Sequence, residues 1–342
     1  TAWFARFGEL DSAGQLIQRG QSTAYARGLP AVLVQAGQLA AYKSTAIAHA
    51  ILAGGHNVIV KTTSHEPLSA YRFARACLER GLSVPQVLHV EARHPENRDA
   101  LRNAIARCKH SVVFGEDRTI QSLFRELPWD ADHRVAPFWT GRSGAVVMDD
   151  ADVDHAAACL VEGMVSLGRG DDCASTKRVV VHEAVADALA EALVRAVARL
   201  RSGPADDDAT DWCPDAAARD VTLRYFEGAE VFYDGGAVMG FCAGNAKVFG
   251  EELPYPMLAL QRFGAAEDPA ALADRHVAHT PSGRAVSTAV FTRREDTFRA
   301  VAARLATDKA LWNRPSSAYD FASQHSGHHL CFAMMRAKEL VT

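Results

Sequence analysis

The chain is 342 residues long, more than one hydrophobic core usually serves, so two lobes are expected. With 48% hydrophobic and 23% charged residues it has the make-up of a soluble globular protein, and its formal charge of −4 leaves no electrostatic footprint for nucleic acid or an anionic membrane. Its seven cysteines are odd in number and contain no CxxC pair, which argues against a disulfide framework or a zinc site and points to a reducing, cytoplasmic setting.

The first residues, TAWFARFGEL, lack the layout of a signal peptide, and no apolar run approaches the roughly 18–20 residues of a membrane span. The stretch GQLIQRGQSTAYARG alternates as an exposed hairpin does, and such a piece is marginal without a partner. The pattern then predicts a strand at 31–34 and a helix over 41–53, with Ala46, Ile47, Ala50 and Ile51 on one face and Gly54-Gly55 as its stop. A strand at 57–61, a helix at 68–80, a strand at 86–90, a helix at 95–107, a strand at 111–114 and a helix from about Thr119 follow. This alternation implies crossover units, a parallel sheet with helices on both faces, and ligands bound beyond the carboxyl ends of its strands.

The second half repeats the rhythm. A strand at 145–148 leads through the acidic turn Asp149 to Asp152 into a helix at 152–167. A glycine loop with Cys173 comes next, then a strand at 178–182 and a helix at 183–200 whose stripe is Val185, Leu189, Leu193, Val197 and Leu200. Residues 201–218 read as a solvated polar linker. A strand at 230–233, a loop at 234–250, a strand at 257–262, a helix at 267–275, a strand at 286–291 and a helix at 294–306 complete the pattern. His325, His328 and His329 lack the spacing of a helical ligand pair, so no metal site is assigned.

Four stretches in the same order carry a family resemblance. Residues 138–152 read FWTGRSGAVVMDDAD and 170–181 read GDDCASTKRVVV; they resemble the E-L-G-G-K-S-P-x-I-V-x-x-D-A-D and G-Q-x-C-x-A-x-x-R-x-x-V patterns of the aldehyde dehydrogenase superfamily. Residues 28–61 resemble its P-x-G-V-x-x-x-x-x-W-N-F-P, helix, L-A-A-G-N-x-V-V-x-K segment; EELPYP at 251–256 is similar to E-E-x-F-G-P, and 320–341 to the closing loop, helix and strand. The resemblance implies a two-lobed α/β fold of parallel sheets flanked by helices. In it, 1–29 would be a helix remnant and oligomerisation hairpin, 30–137 a Rossmann-like dinucleotide-binding lobe, 138–320 the cysteine lobe, and 321–342 the closing loop, helix and C-terminal strand. The hairpin and last strand would reach a neighbouring subunit in a homo- or hetero-oligomer.

By the same resemblance Cys173 is the thiolate nucleophile, Lys61 and Glu252 grip the riboses of NAD or NADP, Ser64 bears on the choice between the two, and Gly115 lies in the turn that meets the dinucleotide. Gln38 replaces the family's oxyanion-binding Asn with the same NH₂ on a longer stem, or else caps the next helix. Three departures stand against these matches. The glutamate that activates the hydrolytic water is Phe138, and a phenyl ring accepts no proton. Glu116 and Asp117 stand where a pyrophosphate would approach, and VVFGEDRTI is closer to the turn of acyl-CoA reductases. Pro254 replaces the family's Phe, and Asp171 and Asp172 would oppose a thiolate if close. Two readings result: NAD(P)-linked interconversion of an aldehyde and an acyl thioester of coenzyme A or a carrier protein, or a non-catalytic relative that keeps the fold. Plain hydrolytic aldehyde oxidation would need another base.

Overall fold

The computed structural model describes residues 9–10, 16–17, 22–25, 31–35, 48, 57–63, 67–81, 86–88, 95–126, 133–166, 170–204, 207, 209–213, 215–318 and 336–339. The chain divides into two compact units, Thr1–Trp139 with Asp320–Thr342, and Thr140–Tyr319.

The first unit holds two sheets. One is antiparallel, built from β1 (Glu9–Leu10), β2 (Leu16–Ile17) and β3 (Ser22–Tyr25), with the C-terminal strand Arg336–Glu339 against β3 in the register Arg336↔Tyr25 to Glu339↔Ser22. The polar hairpin thus receives a partner from its own chain.

The other sheet is parallel, in the order β6-β5-β4-β7-β8, where β4 is Ala31–Val34, β5 Val58–Lys61, β6 Gln86–Leu88, β7 His110–Phe114 and β8 Arg134–Phe138. Helices α1 (Leu68–Glu79), α2 (Pro95–Arg107) and α3 (Asp117–Glu126) accompany it. Strands β4 and β7 are buried throughout, as expected of strands covered on both faces. The chain runs outward from β4 to β6 and then returns to β7, so the direction of winding reverses between β4 and β7, the place where such sheets bind ligands. Strand β8 was not foreseen because it contains Pro137; it is an edge strand in this sheet, where a missing N–H is tolerated. Of the helix expected over 41–53, only Ala48 is described, and it is helical and buried.

The second unit contains β9 (Gly144–Val147), α4 (Val153–Met164), β10 (Arg178–His182), α5 (Glu183–Val197), α6 (Ala216–Tyr225), β11 (Glu230–Asp234), β12 (Val238–Phe241), β13 (Met257–Phe263), α7 (Pro269–Arg275), β14 (Thr288–Phe291), α8 (Glu295–Ala302) and β15 (Ala310–Trp312). Its sheet runs β11-β12-β13-β10-β9-β14-β15, parallel except for the β11–β12 pair. Strand β10 lies in the middle, between β13 and β9, so the turn that feeds it is anchored at the most enclosed part of the sheet. Helices α4 and α5 cover one face with Ala156, Leu160, Met164, Leu189, Leu193 and Val197, all buried. The side chain of Asp152, whose own backbone is extended, caps α4 by accepting from His155 N at 3.1 Å.

Two expectations fail here. The supposed solvated linker at 201–218 carries Trp212, only 5% exposed, which packs edge-on against Tyr255 and joins Phe226, Val238 and Phe249 in a core. Its described residues are tied by the Ser202↔Trp212 bridge and by Asp211 accepting from Arg201 N at 2.8 Å. The supposed loop at 234–250 contains β12, buried at every position; its Gly240 and the preceding Gly235-Gly236 disguise a strand as a turn.

Candidate active site around Cys173

The approach to β10 is short of polar freedom: Gly170, Asp172 and every residue from Ala174 to Arg178 are buried, and Cys173 alone of the segment's thiol and hydroxyl bearers is half-buried. Its backbone is pinned by hydroxyl groups. Ser143 Oγ donates to Cys173 O at 2.9 Å, Ser316 Oγ donates to Ala174 O at 2.6 Å, and Ser287 Oγ links both by contacting Ser143 Oγ at 3.0 Å and donating to Ser316 O at 2.8 Å. Thr176 Oγ1 meets Ser316 Oγ at 2.6 Å, and Ser175 N closes the turn on Asp172 O at 2.8 Å. Two glycines allow this fit. A Cβ at Gly141 would fall 1.8 Å from Cys173 O, and Gly170 has φ +65° with Met164 O and Pro256 within 3.0 Å of any added Cβ.

Beneath the turn two consecutive cations fasten it to the stretch at 249–255. Lys177, with no exposed surface, donates through Nζ to Leu253 O at 2.5 Å, to Tyr255 O at 3.0 Å and to Gly170 O. Arg178, 3% exposed, donates to Phe249 O at 2.7 Å, to Glu251 O at 2.5 Å and to the Glu252 carboxylate at 3.3 Å. Burial pushes the Lys177 ammonium down to about 8, partly offset by Glu252, while Arg178 pushes it further down and Asp171 and Asp172 raise it. Because this folded value lies below the ordinary lysine value of 10.5, the unfolded chain binds the extra proton between the two. Stability should therefore rise as pH increases from about 8 towards 10.5, and denaturation of Lys177→Met across that window should show the rise removed.

The thiol itself donates to a carboxylate. Cys173 Sγ lies 3.5 Å from Asp172 Oδ1, and Ser166 Oγ donates to Asp172 Oδ2 at 3.2 Å. The proximity of Asp172 raised by the sequence is thus real. Elsewhere burial pushes Cys108 up to about 11 and Cys242 up to about 12, and raises Cys159, which suits inert core thiols.

The residues expected to bind the cofactor fall into both units and are taken separately. In the first unit Lys61 ends β5 and Gly115 follows β7, both at the carboxyl end of the parallel sheet. Lys61 is buried, and burial lowers its pKa. At the start of α3, Glu116 and Asp117 remain, with Glu116 paired to Arg118 at 2.9 Å on an exposed surface, an arrangement that offers an anion little attraction. A Cβ at Gly115 would meet only ordinary contacts, the nearest at 3.6 Å. In the second unit Glu252 commits Oε2 to Arg178, while Oε1 is buried with no hydrogen-bond partner among the described residues. That orphaned acceptor fits a ribose hydroxyl. The turn at Gly115, by contrast, is poorly suited to a pyrophosphate.

Phe138, at the position of the hydrolytic glutamate, is 3% exposed and stacks on Phe114 with ring centroids 4.2 Å apart. Pro254 is exposed. Gln38, Ser64 and the histidines at 325, 328 and 329 lie outside the described residues. Among the described residues no group of His, Cys, Asp and Glu could hold a metal, and no helix is long and apolar enough to cross a membrane. The serine ladder and the Lys177–Arg178 clamp escaped sequence reading. The available signal was a Lys-Arg pair heading a run of valines, since cations entering a central strand must find buried acceptors.

A family model described as the aldehyde dehydrogenase family matches residues 40–331. A betaine aldehyde dehydrogenase of Brucella ovis is 30% identical over 247 residues, covering 68% of this chain and 49% of the relative; the chain thus spans about half the length of that curated protein. Among solved structures, a γ-glutamyl-γ-aminobutyraldehyde dehydrogenase from Burkholderia cenocepacia superposes with TM-score 0.80 at 20% identity, covering 96% of this chain and 72% of that one. An indole-3-acetaldehyde dehydrogenase in complex with NAD+ gives TM-score 0.77 at 18% identity, over 95% and 71%. The ordered motifs, the parallel sheets and the match over most of its length lead to one conclusion: the chain belongs to the aldehyde dehydrogenase family.

Proposed function

We propose that the chain interconverts an acyl thioester and an aldehyde with NAD(P), carrying the acyl group on Cys173. The observation that supports this most is Cys173 itself, a half-buried thiol on a pinned turn before a central strand, at the position of the family's nucleophile. Its attack on an acyl carbon forms a thioester and releases the donor's thiol, such as that of coenzyme A or a carrier protein. A thiol rather than water as acyl partner is favoured by Phe138, since the residue that the family resemblance sets at the hydrolytic glutamate is here a buried phenyl ring that accepts no proton.

NAD(P), when bound, supplies or accepts the hydride that relates acyl group to aldehyde. Lys61 and the unpartnered Oε1 of Glu252 would hold its riboses. Gln38, with a backbone N–H near Cys173, belongs to the same reading as oxyanion donor, and Ser64 as a neutral residue that leaves room for a 2′-phosphate. The NAD+ complex of the indole-3-acetaldehyde dehydrogenase supports the cofactor class. The sheet formed by the hairpin and the last strand supports association with further copies, in a cytoplasmic setting.

Incubation with acetyl-CoA and with a long-chain acyl-CoA, followed by mass analysis of the peptide bearing Cys173, should find the acyl group there. NAD+ or NADP+ at a hundred times its dissociation constant should stabilise the chain by about 2.7 kcal/mol in thermal unfolding. No adduct from either donor, together with no thermal shift from either nucleotide, would overturn the proposal. The carboxylates of Glu116 and Asp117 favour a second reading, a relative that keeps the fold without binding a dinucleotide. That reading predicts no shift.

A further inference from the structure

We infer that Asp172 is a catalytic residue, the general base that takes the proton of Cys173 as sulfur bonds to the acyl carbon. This rests on the reading of Cys173 as the nucleophile. Asp172 is 4% exposed, its Oδ1 accepts from Cys173 Sγ at 3.5 Å, and its Oδ2 accepts from Ser166 Oγ at 3.2 Å. Nucleophile, base and orienting hydroxyl therefore form a line, the arrangement by which enzymes activate a weak nucleophile. The base cannot drift: its own carbonyl accepts from Ser175 N at 2.8 Å, and the carbonyl of Cys173 is held by Ser143.

The proton balance is simple. At rest the thiol donates its proton towards Oδ1. As the sulfur lone pair forms the S–C bond, the S–H bond becomes strongly acidic and its proton passes to Oδ1, while the carbonyl π electrons move to oxygen. When the tetrahedral adduct collapses, the bond to the leaving thiol breaks with its electron pair, and the departing sulfur recovers the proton from Asp172. Nothing is oxidised or reduced in this half-reaction, and the carboxylate is regenerated. Asp171 lies on the same turn, and Lys177, just before β10, interacts electrostatically with Asp172 as it does with Asp171, Arg178 and Glu252.

A carboxylate beside sulfur also disfavours a free thiolate, and this separates a base from a structural aspartate. The probes are 4-nitrophenyl acetate, whose burst of nitrophenolate reports acylation, and iodoacetamide, which alkylates thiolate without needing a base. In Asp172→Asn the acylation burst at neutral pH should slow by about 10²-fold or more. Its rate should rise with pH as the thiol ionises, where the unaltered chain shows a flat profile from mildly acidic to neutral pH. Alkylation of Cys173 should be unchanged or faster. Ser166→Ala, which removes one donor to Oδ2 while leaving the carboxylate, should slow the burst less and keep the flat profile.

An unchanged burst in Asp172→Asn, or a burst and an alkylation rate that fall together, would overturn the inference. Cys173→Ser separates its failure from that of the underlying reading: if the acetyl group still appears at full rate in that variant, the nucleophile is elsewhere. If the adduct vanishes there but Asp172→Asn acylates normally, only the role of Asp172 fails.

Discussion

Cys173→Ser is expected to lower acyl transfer from an acyl-CoA on the order of 10⁴-fold or more, with thermal unfolding nearly unchanged. Serine retains the shape of the residue and the ability to donate to Asp172 Oδ1, so the turn keeps its geometry. What it loses is chemical. A hydroxyl is far less acidic than a thiol and less polarisable, and the site offers a carboxylate rather than an imidazole to activate it. The backbone carbonyls at 173 and 174 stay tied to Ser143 and Ser316, which confines the effect to reactivity. Single-turnover acylation read by mass, alongside a melting curve, tests this directly; a variant that acylates as fast as the unaltered chain would remove Cys173 from the chemistry.

Arg178→Met is expected to cost about 3–5 kcal/mol of stability, the usual penalty for stripping the partner from a buried ion pair. The guanidinium is 3% exposed and donates to the carbonyls of Phe249 and Glu251 as well as to Glu252. Burial works against its charge, and the carboxylate of Glu252 partly offsets that. With Met in its place the Glu252 carboxylate is left beside two carbonyls that have lost their donor. Adding Glu252→Gln to that variant should recover part of the loss, because a neutral amide needs no counter-ion. A double-mutant cycle by chemical denaturation gives the coupling, and purely additive losses would show that the pair contributes nothing as a pair.

Much of this architecture could be read from the chain because its strands are continuous apolar runs. Ala31–Val34, Val58–Lys61 and Arg178–His182 stand where their valines place them, and α5 buries Leu189, Leu193 and Val197 from the expected stripe. The misses have definite causes. Proline hid β8, glycines hid β12, and a cluster of aspartates around Trp212 disguised a packed segment as a solvated one. At the site, pattern alone placed Cys173 ahead of a strand and resemblance named it. Asp172 looked merely adverse, since a sequence cannot show whether a neighbouring carboxylate faces the sulfur or turns away. The serines at 143, 287 and 316 are far apart in the chain and carry no local signal; only the fold draws their hydroxyls together.

Lys177 and Arg178 are neighbours in sequence, yet between them they engage backbone or side-chain atoms at 249, 251, 252, 253 and 255. Neither stretch can part from the other without uncovering both cations in an apolar interior. The turn that bears Cys173 and a loop some eighty residues further on are therefore one opening unit, whose amides exchange together or not at all. The thiol inherits its rigidity less from the turn around it than from that distant piece of chain.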